Sequence, residues 1–167
     1  MSEPAAQQPN EREFFLARIY TKDVSFETPN SPLIFNQEWK PAFNMNVNSA
    51  VQSLGEEHYE VVLNITVTCK IEEKTAFLIE VKQGGIFRIR GFTNEEMGPM
   101  LGAYCPNLLF PYVREVVSDL VSKGSFPQLL LSPVNFDAIY ARHLQQLQEQ
   151  AQQEGQQPPE NANETAH

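Results

Sequence analysis

Tyr59, Val61, Leu63, Ile65, Val67, Cys69 and Ile71 occupy alternate positions in one unbroken stretch. An apolar residue at every second place is the period of a strand, whose side chains point alternately to opposite faces. A helix would scatter the same residues around its axis. A strand that is apolar on one side only belongs to an antiparallel sheet with one covered face and one wet face. The remaining sequence must therefore supply strand neighbours and a cover.

The neighbours are legible. Phe14 to Phe26 reads as a first strand, apolar early and alternating later, with Val24 and Phe26 on one face and Asp23, Ser25 and Glu27 on the other. Thr28-Pro29-Asn30-Ser31-Pro32 breaks it. The connection to Pro41 carries Leu33, Ile34, Phe35 and Trp39, which either pack over the sheet or line a groove. Phe43, Met45 and Val47 alternate with Asn44, Asn46 and Asn48 in a second strand, and a turn comes next at Gly55-Glu56-Glu57. After the third strand, Glu72-Glu73-Lys74 reads as a hairpin turn. The fourth strand puts Phe77, Ile79 and Val81 on one face and Ala76, Leu78, Glu80 and Lys82 on the other. Gly84-Gly85 predicts a bulge or bend before Ile86, Phe87 and Ile89.

The cover is helical. Thr93 with Glu96 forms a capping-box signature, and Pro106 and Pro111 limit or kink the helical stretch around them. Leu109, Val113, Val116, Val117 and Leu120 have helical spacing, with Gly124 as the stop. Ser132-Pro133 predicts the start of a last helix whose face is Phe136, Tyr140, Leu144 and Leu147. Strands first and helices second give an α+β fold: a four-stranded antiparallel sheet with a long crossover loop and two C-terminal helices packed on one face. Residues 14–147 form the domain. Residues 1–13 read as a flexible tail, and the Gln-rich, acidic residues 148–167 lack the apolar content to order themselves.

Composition narrows the function. A net charge of −9 and a pI of about 4.8 argue against nucleic acid and anionic membrane surfaces, since phosphate binding needs clustered Lys and Arg. They suit either plain solubility or attraction of a basic partner. The sequence shows neither a signal-peptide pattern nor an apolar run of membrane-span length, which predicts a cytoplasmic protein. Cys69 and Cys105 have no disulfide or zinc spacing, and His58, His143 and His167 are scattered. Gly84-Gly85 lacks a phosphate-loop context. Glu72-Glu73 and Glu95-Glu96 read as a turn and a helix start rather than catalytic pairs. Cys105 as a nucleophile lacks a neighbouring Lys, Arg or His, and buried filler is the simpler reading. The chain thus reads as a binding protein, not an enzyme, with no cofactor.

Two surfaces remain. Asp23, Glu27, Leu78 and Glu80 lie opposite the apolar stripes of their strands, forming an acidic outer face with a leucine in it or an ordinary solvated face. Met97, Met100, Leu101, Tyr104, Leu108, Leu109, Phe110, Tyr112 and Val113 offer more apolar surface than one sheet face needs, so they either close a core or meet another subunit or peptide.

Ile19-Tyr20-Thr21-Lys22-Asp23-Val24-Ser25-Phe26-Glu27 resembles the opening strand of the SecB family of bacterial export chaperones. So do Gln83-Gly84-Gly85-Ile86-Phe87, Leu101-Gly102-Ala103-Tyr104-Cys105-Pro106-Asn107, Leu109-Phe110-Pro111-Tyr112, Phe126-Pro127-Gln128 and Pro133-Val134-Asn135-Phe136-Asp137 resemble later blocks of that family, in its order. The resemblance implies the α+β fold above and a homotetramer built as a dimer of dimers. It implies an ATP-independent holdase that keeps unfolded secretory precursor proteins translocation-competent and delivers them to the export ATPase SecA. It places SecA on Asp23, Glu27, Leu78 and Glu80, and tetramer assembly on Ile79, Val81 and Gln83. It places the substrate groove at Trp39, Met45, Val47, Tyr104 and Phe110. Met100 stands where some relatives carry a cysteine, so no oxidation chemistry based on that cysteine transfers. Two alternatives are a SecB-like chaperone dedicated to one client, such as an antitoxin, and a small-molecule carrier that buries a ligand over its sheet.

Overall fold

A computed structural model describes residues 11–154. Four strands, β1 (Glu13–Glu27), β2 (Pro41–Gly55), β3 (His58–Ile71) and β4 (Lys74–Arg90), form one antiparallel sheet in the order β1-β4-β3-β2. The chain leaves β1 at one edge and enters β2 at the other, so the crossover spans the whole sheet. A short 3₁₀ turn at Leu33–Asn36 lies within that crossover.

The alternation on β3 and β4 becomes a core. Val61, Leu63, Ile65, Val67, Cys69, Phe77, Ile79, Val81 and Phe87 are all fully buried on the inner face. That face is covered by a long helical segment made of α1 (Asn94–Pro99), a π-helical turn (Met100–Tyr104) and α2 (Cys105–Lys123). The stripe Leu109, Val113, Val117 and Val121 is fully buried where α2 crosses β4 and β3. Each such side chain contributes about 1.5–3 kcal/mol through burial. The predicted capping box is present: Glu96 N–H donates to Thr93 Oγ1 at 3.3 Å, and Thr93 N–H donates to Glu96 Oε2 at 2.9 Å.

Several expectations change. β4 runs through Gly84-Gly85 in register, without a bulge there. The glycines instead make room. A Cβ on Gly84 would lie 2.5 Å from the Tyr20 ring, and one on Gly85 2.9 Å from Leu109 Cδ2. The pairing skips a residue elsewhere: at Ala17 and Lys22 on β1, at Leu54 on β2, and at Ala76 on β4, which is buried rather than on the outer face with Leu78. Pro106 and Pro111 do not stop the helix. Pro106 sits in the first turn of α2, where its missing N–H is tolerated, directly after a wide turn in which Cys105 N–H reaches Met100 O. At the end of α2 the left-handed residue is Ser125, with φ +63°, while Gly124 lies at φ −75°. Gly124 is needed for space, because a Cβ there would approach the Phe26 ring to 2.6 Å.

The last helix, α3, spans Phe136–Glu154 and starts later than Ser132-Pro133 predicts. Asn135 acts at its start, with Oδ1 accepting from Ala138 N–H at 3.0 Å. Phe136 is buried, Ile139 and Tyr140 pack on the core, and Leu144 and Leu147 are exposed. Residues 148–154 continue the helix; the remainder of the Gln-rich tail and residues 1–10 lie outside the described residues.

Candidate protein-binding surfaces

Cross-strand partners share a face of the sheet. Asp23 pairs with Lys82, Ser25 with Glu80 and Glu27 with Leu78. The outer face at this end of β1 and β4 therefore brings Asp23, Glu27, Leu78 and Glu80 together, as the sequence predicted. Asp23 and Glu27 are exposed at the sheet edge, and Leu78 and Glu80 are half-buried. Lys82 lies among them with Nζ 3.7 Å from Glu80 Oε1, and both side chains remain well exposed. Such a pair contributes little, and three carboxylates against one ammonium leave the patch acidic. Beyond it the outer face continues through Thr66, Thr68 and Asn64 on β3 to Asn44, Asn46 and Asn48 on β2.

Ile79, Val81 and Gln83 occupy the inner face of β4. They are 0%, 0% and 2% exposed, so within one chain they lie beneath the helical layer rather than on a surface. Gln83 Oε1 accepts a hydrogen bond from Thr21 Oγ1 at 3.3 Å.

The five proposed groove residues fall in different places. Trp39 belongs to an aromatic cluster at the crossover end of the sheet, 5.9 Å from Phe126 between ring centroids. Phe126 in turn packs on Phe77 at 5.1 Å and on Phe35 at 5.3 Å, and Phe77 also meets Phe26 and Phe43, each at 6.3 Å. Met45 shares the face of β2 that carries Phe43. Val47 lines a 390 Å³ cleft between β2, the π-helical turn and α3, with Val51, Leu101, Ile139 and Tyr140. Tyr104 lies elsewhere, edge-on to Phe14 at 5.1 Å. Phe110 is buried against Phe136 at 5.8 Å.

The crossover satisfies both readings of its apolar residues: Ile34 is 2% exposed, whereas Leu33 is 72% and Phe35 48% exposed. With Phe43 (48%) and Met45 (39%) they form an open apolar margin along β2. The sequence reading names Phe35 among the crossover residues that pack over the sheet or line a groove, and places Phe43 on the second strand without a binding role. Phe43 alternates with Asn44 and Asn46, so its place on the inner face of β2 is legible from the sequence.

On β1 and β3 a polar network crosses the outer face. Tyr20 Oη donates to Glu60 Oε1, and Lys22 Nζ donates to the same oxygen at 2.8 Å. Burial first, and then the Glu60 carboxylate, push the Tyr20 phenol up to about 12. Lys22 first, and then Tyr20, hold Glu60 below the usual carboxylate range.

Neither cysteine is placed for nucleophilic chemistry. Burial pushes the Cys69 thiol up to about 11 and the Cys105 thiol to about 12, so neither forms thiolate near neutrality. Among the described residues no three His, Cys, Asp or Glu side chains are grouped to hold a metal. No described helix is long and apolar enough to cross a membrane.

The family model described as "Preprotein translocase subunit SecB" matches residues 7–147. The chain belongs to the SecB family. SecB from Methylococcus capsulatus, a "Protein-export protein SecB", is 58% identical over 146 residues, covering 87% of this chain and 94% of its own. The SecB of Nitrosococcus oceani is 54% identical over 149 residues, covering 88% and 91%. Among solved structures, a Mycobacterium tuberculosis SecB-like chaperone in complex with an antitoxin peptide shares the fold. Its TM-score is 0.60 at 15% identity, over 72% of this chain and 90% of that one. SecB proteins are export chaperones and not enzymes, so this chain has a chaperone role in protein export, and the nucleophilic reading of Cys105 falls.

Proposed function

We propose that this SecB chain is an ATP-independent cytoplasmic holdase that binds unfolded secretory precursors on one surface and SecA on another. The observation that carries the reading is the separation of two surfaces of opposite chemistry. The open apolar margin of Leu33, Phe35, Phe43 and Met45 lies on the inner side of β2 and its crossover. The acidic patch of Asp23, Glu27, Leu78 and Glu80 lies on the outer side, at the other edge of the sheet. An unfolded chain offers apolar side chains without fixed order, which aromatic and methionine surfaces accept without reading sequence. A basic partner matches the acidic patch.

The chain works as a homotetramer. The support is a second stripe on α2: Leu108, Tyr112, Val116 and Leu120 run beside the buried one and are half-buried or exposed, with Tyr112 at 46%. Another copy's helices would cover it. Ile79, Val81 and Gln83 then act on assembly from beneath, by setting how α2 sits. Val47, Trp39, Tyr104 and Phe110 join the client path to different degrees. Val47 and Trp39 adjoin the open margin, Tyr104 is half exposed, and Phe110 is reached only if α3 moves. General export fits the names of relatives more than half identical better than service to a single client.

The test separates the two surfaces. Phe35→Ser with Phe43→Ser is expected to lose precursor binding and keep SecA binding. Asp23→Lys with Glu80→Lys is expected to do the reverse, most clearly at low salt. Equal loss of both activities in either variant contradicts the assignment.

A further inference from the structure

The geometry points to Tyr20, Lys22 and Glu60 as positioning residues that set the acidic face by choosing which residue of β1 bulges. The inference rests on the reading of that face as the SecA site.

The apolar pattern of β1 changes phase. Ile19 faces inward opposite Gly85, and Val24 faces inward opposite Val81. Residues five apart in a strand point to opposite faces unless one extra residue intervenes. Thr21 lies on the inner face at the open edge, opposite buried Gln83, to which it donates a hydrogen bond. The extra residue must then be Lys22 or Asp23. With Lys22 bulged, Asp23 pairs with Lys82 on the outer face, as observed. With Asp23 bulged, Lys22 would face Lys82, two like charges side by side, and the carboxylate would leave the patch.

The network selects between these. Lys22 Nζ reaches across β4 to Glu60 on β3, at 2.8 Å, and the Glu60 side chain is only 12% exposed. Tyr20 spans the same gap because Gly84 on β4 has no side chain beneath its ring. Its hydroxyl shares the Glu60 oxygen. A side chain at position 84 would collide with the Tyr20 ring and block that reach. One largely buried carboxylate thereby holds the two side chains that flank Thr21, and Lys22 rather than Asp23 takes the bulge.

The decisive variant is Lys22→Met in the full-length protein. Plain electrostatics predicts that losing a cation beside the patch tightens binding of a basic partner. The positioning role predicts weaker SecA binding, by about tenfold, the effect of one charge-assisted contact. Precursor binding should be unchanged, and Lys22→Arg should restore SecA affinity. Tyr20→Phe, which changes no charge, should weaken SecA in the same direction by less. In NMR spectra of Lys22→Met the backbone contact between Asp23 and Lys82 should be lost or split. Retention of that contact, or SecA affinity that is unchanged or higher, overturns the inference. Asp23→Lys is the parallel control. If it weakens SecA while Lys22→Met does not, the positioning role alone fails. If neither weakens it, the acidic-face reading fails and takes this inference with it.

Discussion

Tyr140 is seated in a notch made by two glycines, and the two contacts differ in a way that can be measured. A Cβ on Gly98 would lie 2.4 Å from the Tyr140 hydroxyl oxygen but 3.5 Å from Cζ. A Cβ on Gly102 would lie 2.4 Å from Cδ2 and 2.6 Å from Cε2 of the same ring. Gly98→Ala therefore collides with the hydroxyl alone, and Gly102→Ala collides with the ring. Overpacking of this kind costs about 1–3 kcal/mol, partly offset by up to about 1 kcal/mol of helix propensity gained from Ala over Gly. The main packing partner of α3 is the π-helical turn, so the strain should undock α3 before it unfolds the sheet. Amide hydrogen exchange across residues 136–147 is the assay, with thermal melting as the global control. Both alanine variants should speed exchange in α3 by about tenfold while the strands stay protected. Adding Tyr140→Phe should rescue Gly98→Ala fully, since Cζ at 3.5 Å is ordinary contact, and should leave Gly102→Ala impaired. Equal rescue of both variants, or of neither, would refute the geometry.

Buried groups give further expected outcomes. Because folding raises the Tyr20 pKa to about 12 from an unfolded value of about 10, its hydroxyl proton is held more tightly in the folded chain. Its contribution to stability is fully present below about pH 10 and disappears between about 10 and 12. Glu60, held low, contributes above the ordinary carboxylate pKa of about 4.3 and loses its contribution as the pH falls through its own lower value. Tyr20→Phe should flatten the alkaline arm of a stability profile, and an unaltered arm would contradict the assignment. Val81→Asp puts a carboxylate at a fully buried site under α2, at a cost of several kcal/mol. It should lower the melting temperature and convert tetramers to dimers in sedimentation at low concentration; a stable tetramer would refute it.

Legibility depended on whether a local pattern survived in three dimensions. β3 declared itself because its apolar face runs unbroken from Tyr59 to Ile71. β1 did so only in part, because the bulges at Ala17 and Lys22 each reverse the alternation. β2 was readable to Val47, yet it continues to Gly55 because the β3 ladder holds residues with little apolar alternation of their own. The capping box at Thr93 and Glu96 is local chemistry and was visible. The passage of the helix through Pro106 was not, since proline in a first turn is tolerated for reasons of position, and Pro111 lies inside α2 without ending it. The acidic patch was readable because Asp23, Glu27, Leu78 and Glu80 need only strand phase and one pairing. The surroundings of Tyr104 and Phe110 were not, because both are placed by tertiary packing against Phe14 and Phe136.

The most direct test of holdase action is the refolding of a secretory precursor diluted from denaturant into the purified full-length protein without nucleotide. Binding the unfolded chain should draw it away from the folded state by mass action. Refolding should stop at stoichiometric chaperone, with no change when ATP is added. Full recovery of folded precursor at excess chaperone, or arrest that requires ATP, would contradict the account.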